Sequence, residues 1–267
     1  MKRTLIVSAT RKSAEQFWSS TFLGQSLLQF PRELRPETSV TFDNEGPKAL
    51  GLSQIYNRAL DRCPPDRYLL FVHDDVYLHD VFLQHRIADG LSRFDVLGLA
   101  GSRGSDIDQP SWGLHFDREL RCTGWQKPPY VTLSGVVGHV PLGLVTFPLS
   151  APPALSLSQY GNLPAGCNLL DGLFLAVNPV RLAERRVRFD EQFRFDLYDL
   201  DFCRSARHAG LSLSTWPLLV THGSGGDFGS DGWKAAARAY LQKWAKRPEH
   251  ATSPTEPAPE PAPEPAP

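Results

Sequence analysis

The sequence predicts an α/β protein: a mostly parallel central sheet with helices on both faces. Two observations carry that expectation. Short all-apolar runs alternate with segments of helical periodicity through the first part of the chain, and such β-α-β alternation builds parallel sheets. The runs are apolar throughout rather than every second residue, as in strands covered on both sides.

Leu5-Ile6-Val7 is the first apolar run. From Ser13 to about Gln29, Phe17, Leu23, Leu27 and Leu28 recur at helical spacing. Residues 39–42 read as a second strand, and Leu52, Ile55, Tyr56, Ala59 and Leu60 make one helical face. Pro64-Pro65 end that helix before Tyr68-Leu69-Leu70-Phe71-Val72, the clearest buried strand in the chain. Asp80 is placed to cap a helix with Phe82, Leu83, Ile87 and Leu91 facing inward, ahead of a strand at 96–99. From Ser102 to Gly166 the alternation fades into a Gly-, Pro- and aromatic-rich stretch with strands expected near 131–140, read as an elaboration of the same domain. Regularity resumes with a strand over 169–177, a helix over 199–208 ended by Gly210, and a strand over 211–222. A last helix, about 231–246, sets Trp233, Ala237, Tyr240, Leu241 and Trp244 on one face, and Pro248 stops it. The Pro/Ala/Glu repeats of 248–267 cannot bury enough apolar surface to order, so a disordered tail is expected there.

Composition narrows the function. The chain has 267 residues, 41% hydrophobic and 21% charged, as in a soluble globular enzyme. A formal net charge of −1 provides no field to gather nucleic acid, so a nucleic-acid partner is not expected. Cys63, Cys122, Cys167 and Cys203 are scattered without a CxxC, which points to reduced, mostly buried thiols. Lys2 and Arg3 precede only a short apolar run, and the stretch from Leu133 to Leu149 is too short and too interrupted for a membrane span of about 20 residues. A cytoplasmic location is therefore the expectation.

Ligands of such sheets sit beyond the C-terminal strand ends, so the polar residues there are the first candidates. His73-Asp74-Asp75 follows directly on the strand that ends at Val72. Two adjacent carboxylates at a buried strand end need water, a donor or a cation. Oxygen ligands with one imidazole suit Mn²⁺ or Mg²⁺, although a solvated strand end with a capping Asp would look similar. Asp196, Asp199 and Asp201 crowd the expected start of a helix, where the macrodipole favours anions; crowding raises carboxyl pKa values and suits a general base, while simple capping is the plainer alternative. His222 ends an apolar strand before Gly223-Ser224-Gly225-Gly226, a loop that permits close approach to a ligand. Trp112, Trp125 and Tyr130 are candidates to stack on sugar rings, though aromatics more often fill core. Gly101-Ser102-Arg103-Gly104 is no P-loop, and no Gly-x-Ser-x-Gly marks a serine hydrolase.

Taken in order, Phe71-Val72-His73-Asp74-Asp75-Val76, Leu170-Asp171-Gly172-Leu173-Phe174, Phe189-Asp190-Glu191, Tyr198-Asp199-Leu200-Asp201-Phe202-Cys203 and His222 resemble the GT-A glycosyltransferases. The nearest pattern is the family-2-like bacterial branch with His-x-Asp in place of Asp-x-Asp. The likeness runs from about Thr4 to Gly226. It implies a single GT-A domain, Rossmann-like, over about 1–247. It also implies transfer of a sugar from a nucleotide-sugar donor to an acceptor hydroxyl, with inversion, on a divalent metal (Mn²⁺ or Mg²⁺). By the same resemblance Asp75, His73 and His222 are metal ligands and Asp199 is the catalytic base. Asp74, Thr10, Arg11 and Asp43 lie toward the nucleotide, and Asp171, Gly172 and Asp201 toward the acceptor. The acceptor is a glycan, a lipid-linked sugar or a protein, and a lipid-linked one would bring peripheral membrane association. Two positions depart from the family pattern: His73 for its first Asp, and Tyr198 for the Glu of its usual Glu-Asp. A metal-dependent phosphohydrolase and a non-catalytic sugar-nucleotide or glycan binder are the alternatives.

Overall fold

The strands are β1 (Arg3–Ala9), β2 (Glu37–Thr41), β3 (Arg67–Val72), β4 (Val76–Leu78), β5 (Val96–Gly98), β6 (Ala100–Ser102), β7 (Leu114–Phe116) and β8 (Cys122–Trp125) in the first half of the chain. They continue as β9 (Leu133–His139), β10 (Ser156–Gly161), β11 (Ala165–Gly166), β12 (Leu169–Leu170), β13 (Phe174–Val177), β14 (Leu213–Thr215) and β15 (Val220–His222). They come from a computed structural model that describes residues 2–104, 109–126, 132–140, 145–153, 156–224 and 228–245. The tail expected over 248–267 lies outside the described residues.

The central sheet has the order β11-β14-β5-β13-β3-β1-β2. β1 runs parallel to β2 and β3, and β14 parallel to β5, while β13 lies antiparallel between β3 and β5. Five strands thus share one direction, with β13 and β11 reversed. This is the predicted α/β fold with a mixed central sheet. Alternate residues of each strand feed two cores. Val7, Leu69 and Phe71 point to one face, where the helices Leu52–Arg62, Tyr198–His208 and Asp231–Ala245 pack. Ile6, Leu70 and Val72 point to the other, under the helices Ala14–Ser20, Phe22–Gln29 and Leu83–Arg93. Tyr56 stacks on Phe71 at 4.4 Å between ring centroids, tying one helix layer to the sheet. Fully burying a side chain of this size is worth about 1.5–3 kcal/mol.

A second sheet, β12-β6-β9-β15-β4 with β10 on β9, joins two strands of the irregular middle, β9 and β10, to short strands from either side of it, and β7 and β8 form a separate hairpin. Several segments that the sequence presents as continuous are divided between the two sheets. The 169–177 run breaks into β12 and β13 at Asp171-Gly172-Leu173, and the 211–222 run into β14 and β15 around Pro217. The 13–29 helix breaks at Thr21, whose hydroxyl donates to Phe17 O (2.7 Å) and accepts from Gly24 N–H (3.0 Å). Leu28, expected on the buried face, is exposed. So is Phe82, at 55%, because the helix begins only at Leu83; Asp80 instead accepts from Phe82 N–H in the preceding turn. Of the four thiols, Cys167 and Cys203 are buried and Cys122 is exposed. No helix among the described residues is long and apolar enough to cross a membrane.

Candidate active site

His73-Asp74-Asp75 forms the turn by which the chain leaves the central sheet at β3 and enters the second sheet at β4. Backbone bonds fix the turn from three sides. His73 N–H donates to Leu173 O (3.2 Å), Leu23 N–H to Asp74 O (3.0 Å), and Gly223 N–H to Asp75 O (2.9 Å). β15 pairs antiparallel with β4, setting His222 opposite Val76 and so beside Asp75. β15 also pairs in parallel with β9, which sets His139 against His222. Sheet pairing therefore brings to one place residues that are far apart in sequence.

One potential ligand atom from each of His73, Asp75 and His222 lies within 4.8 Å of the other two. His222 Nε2 stands 3.4 Å from Asp75 Oδ1 and 3.2 Å from Ser224 Oγ. The 3.4 Å contact is long for a hydrogen bond, so the buried Asp75 Oδ1 has no well-formed hydrogen bond among the described residues. A buried acceptor in that state costs about 1–3 kcal/mol unless something completes it. Two imidazoles and one carboxylate, that of Asp75, fit a divalent cation. Burial opposes ionisation of Asp75, yet the neighbouring imidazoles of His222 and His73 hold its carboxyl well below the usual range. Burial lowers the His73 pKa, whereas Asp75 raises that of His222 against its own burial.

Asp199 approaches from the other side of the sheet edge. Leu197 adopts a left-handed backbone (φ 60°), a strained conformation for a non-glycine residue, directly before the helix Tyr198–His208. The bend aims Tyr198 inward and leaves Asp199 half-buried in the first turn. Gly172 N–H donates to Asp199 Oδ2 (2.8 Å), and Tyr198 Oη donates to Gly172 O (3.0 Å) and meets His73 Nε2 at 2.8 Å. Only glycine fits at 172, since a Cβ would collide with Tyr198 Oη and lie 2.8 Å from Asp199 Cβ. Burial first, then the charge of Asp171, push the Asp199 carboxyl up to about 7. Asp171 itself accepts from Leu173 N–H (2.9 Å) and Trp112 Nε1 (2.8 Å).

Thr10, Arg11 and Asp43 occupy the same C-terminal edge, after β1 and β2. Their loops are joined by Thr10 N–H to Thr41 O, Asp43 N–H to Lys12 O and Asn44 N–H to Thr10 O, all at 2.9–3.0 Å. Asp43 and Arg11 are exposed, and the Thr10 hydroxyl bonds to Asp74. Burial raises the Asp74 pKa, opposed by Thr10. Asp201 is held by the C-terminal helix. It is fully buried, 2.6 Å from Lys243 Nζ and 2.9 Å from Trp244 Nε1. Adjacent helical positions point in different directions, and two residues beyond Asp199 the side chain faces the C-terminal helix. Gly172 is also buried, acting through its backbone.

Trp112, Trp125 and Tyr160 form a wall beside Asp171, with ring centroids 5.0–6.2 Å apart, while Tyr130 lies outside the described residues. Tyr160 Oη lies 3.3 Å from His139 Nε2. Neither Tyr160 nor His139 stands out in the sequence. The available signal for His139 was that it, like His222, ends an apolar strand.

The sequence matches no protein-family model and no curated protein. Solved structures with a similar chain path include A197 from STIV, at 14% identity over 84% of this chain and 86% of that one, with a TM-score of 0.45. S. aureus TarS 1–349 in complex with UDP has 11% identity, coverage of 92% and 66%, and a TM-score of 0.46. The catalytic domain of Drosophila β1,4-galactosyltransferase 7 complexed with xylobiose has 10% identity, coverage of 80% and 65%, and a TM-score of 0.39. Likenesses this distant leave the reaction to be argued from the site.

Proposed function

We propose that this chain transfers a sugar from a nucleotide-sugar donor to an acceptor hydroxyl by a single inverting displacement. The observation that carries this reading is the meeting, at one strand-end edge, of a cation-competent trio and the Asp199 carboxyl held by Gly172 N–H. His73, Asp75 and His222 would hold the metal, and Asp199 would serve as base. A base works best with a pKa near the operating pH, and burial beside Asp171 supplies that.

In the proposed reaction the acceptor oxygen bonds to the anomeric carbon as the bond from that carbon to the nucleoside diphosphate breaks. The acceptor proton passes to the Asp199 carboxylate, which Gly172 N–H holds through Oδ2. A divalent cation, when bound, would neutralise the charge developing on the departing phosphates. Two nitrogen donors with one oxygen donor favour Mn²⁺ or a similar transition metal over Mg²⁺, which prefers all-oxygen sites. Thr10, Arg11, Asp43 and Asp74 would line the nucleotide side. The Asp171 and Trp112 wall would face the acceptor, a glycan, a lipid-linked sugar or a protein.

The test is a thermal-shift series of nucleoside diphosphates and their sugars, with and without Mn²⁺. Stabilisation by one nucleotide that requires the metal supports the reading; equal shifts without metal, or none with any nucleotide, would overturn it.

A further inference from the structure

The Tyr198 hydroxyl lies between two partners whose chemistry fixes its proton. Gly172 O, 3.0 Å away, is a carbonyl and can only accept, so the single phenolic proton goes to it. His73 Nε2, 2.8 Å from the same oxygen, must then be the donor. That bond selects the Nε2–H tautomer of His73 and leaves Nδ1 as the ring atom with a free lone pair. His222 Nε2 and Asp75 Oδ1 are 3.4 Å apart, and one possible ligand atom from each of His73, Asp75 and His222 lies within 4.8 Å of the other two.

We propose that Tyr198 is the positioning residue of the cation site: it sets the His73 tautomer and ring orientation so that Nδ1 faces the space shared with Asp75 and His222. Tyr198 acts on that space through His73. It is buried, with Tyr56 5.8 Å and Phe189 6.2 Å away between ring centroids, so its hydroxyl is held in place. Gly172 is part of the same device, because a Cβ there would displace the hydroxyl. Leu197, with its left-handed backbone, directly precedes Tyr198 at the start of the helix. Outer partners that orient a metal-binding imidazole commonly contribute 10- to 100-fold in affinity.

This inference rests on the proposed metal site, and two measurements keep the failures apart. Titrating Mn²⁺ calorimetrically into wild type and Tyr198→Phe, without substrate, should show 10- to 100-fold weaker binding in the variant at an unchanged thermal midpoint in the absence of metal. The substitution keeps the ring and removes only the hydroxyl. Wild type that binds no Mn²⁺ would overturn the metal site itself, whereas equal affinities in the two proteins would overturn only the role of Tyr198. The ¹⁵N spectrum of metal-free protein, assigned with His73→Gln, is the second measurement. His73 protonated on Nε2, with the preference lost in Tyr198→Phe, supports the inference; His73 protonated on Nδ1 in wild type would overturn it even if the variant misfolds.

Discussion

At the scale of single residues, function is set by where burial leaves charge. Asp199 has its carboxyl raised to about 7 by burial and by Asp171, so the ionised form is disfavoured in the folded protein. Two consequences are measurable. Transfer that needs an ionised base should rise with pH through about 7 and level off above it, and Asp199→Asn should keep donor binding while losing most of its turnover. Near-normal turnover would place the base elsewhere. Stability should change in the opposite sense. The unfolded carboxyl releases its proton near its usual value of 3.8, so between about 4 and 7 the folded state holds a proton that the unfolded state has lost. Stability from this group therefore falls as pH rises across that window. The thermal midpoint of Asp199→Asn, relative to wild type, should climb from pH 4 to pH 7 and then stay flat; a constant difference would mean that the carboxyl is not raised. Asp75 is the opposite case, an anion held by neighbouring imidazoles. Its replacement by Ala should abolish metal-dependent donor binding, and calorimetry showing unchanged donor affinity would remove it from the ligand set.

Among the elements, the ends and breaks matter more than the middles. The Thr21 break allows the Phe22–Gln29 helix to start where Leu23 N–H can hold the Asp74 carbonyl, so the capped helix start helps fix the His73–Asp75 turn. Gly24 lies against Phe17 O with no room for a Cβ. Gly24→Ala should therefore destabilise by about 1–3 kcal/mol in chemical denaturation despite the better helix propensity of alanine. A neutral or stabilising effect would show that the two helices can separate freely. The Tyr198–His208 helix ends in a Schellman motif, with Leu211 N–H to Ala206 O and Gly210 N–H to Arg207 O, around Gly210 at φ 80°. That stop returns the chain to β14, beside β5, at the correct register.

Across the whole molecule, the C-terminal helix Asp231–Ala245 closes the core on the Asp199 side of the sheet. Trp233, Ala237, Tyr240 and Trp244 are its buried face, and Arg204 Nε bonds to Tyr240 Oη. Lys243 pairs with both Asp190 and the fully buried Asp201, while Trp244 Nε1 donates to Asp201 as well. This ion pair ties the C-terminal helix to the helix Tyr198–His208 that carries Asp199, so it braces that helix two residues beyond the proposed base. Lys243→Met would leave the Asp201 charge buried and poorly matched, at a cost of about 3–5 kcal/mol. Adding Asp201→Leu should recover much of that loss in urea unfolding. A double variant no more stable than the single one would mean that Lys243 acts through Asp190 instead.

Apolar runs and helical spacing were enough to determine the α/β class, the central strands β1, β2, β3 and β5, and the buried face of the last helix. Those patterns reflect burial, which is local enough to be written along the chain. The polar residues at strand ends were legible for the same reason: charge directly after a buried strand is conspicuous. Tertiary structure decided the rest. It divided the 169–177 and 211–222 runs between two sheets, because pairing partners, not periodicity, choose where a strand ends. It set Asp201 against Lys243 and Trp244, Tyr198 against His73, and His139 beside His222, since neighbouring positions on one helix face different partners and strands far apart in sequence meet by sheet register. His73 and Tyr198 stand far apart in the sequence. In the fold they are joined by a 2.8 Å hydrogen bond, a relation that only packing could create.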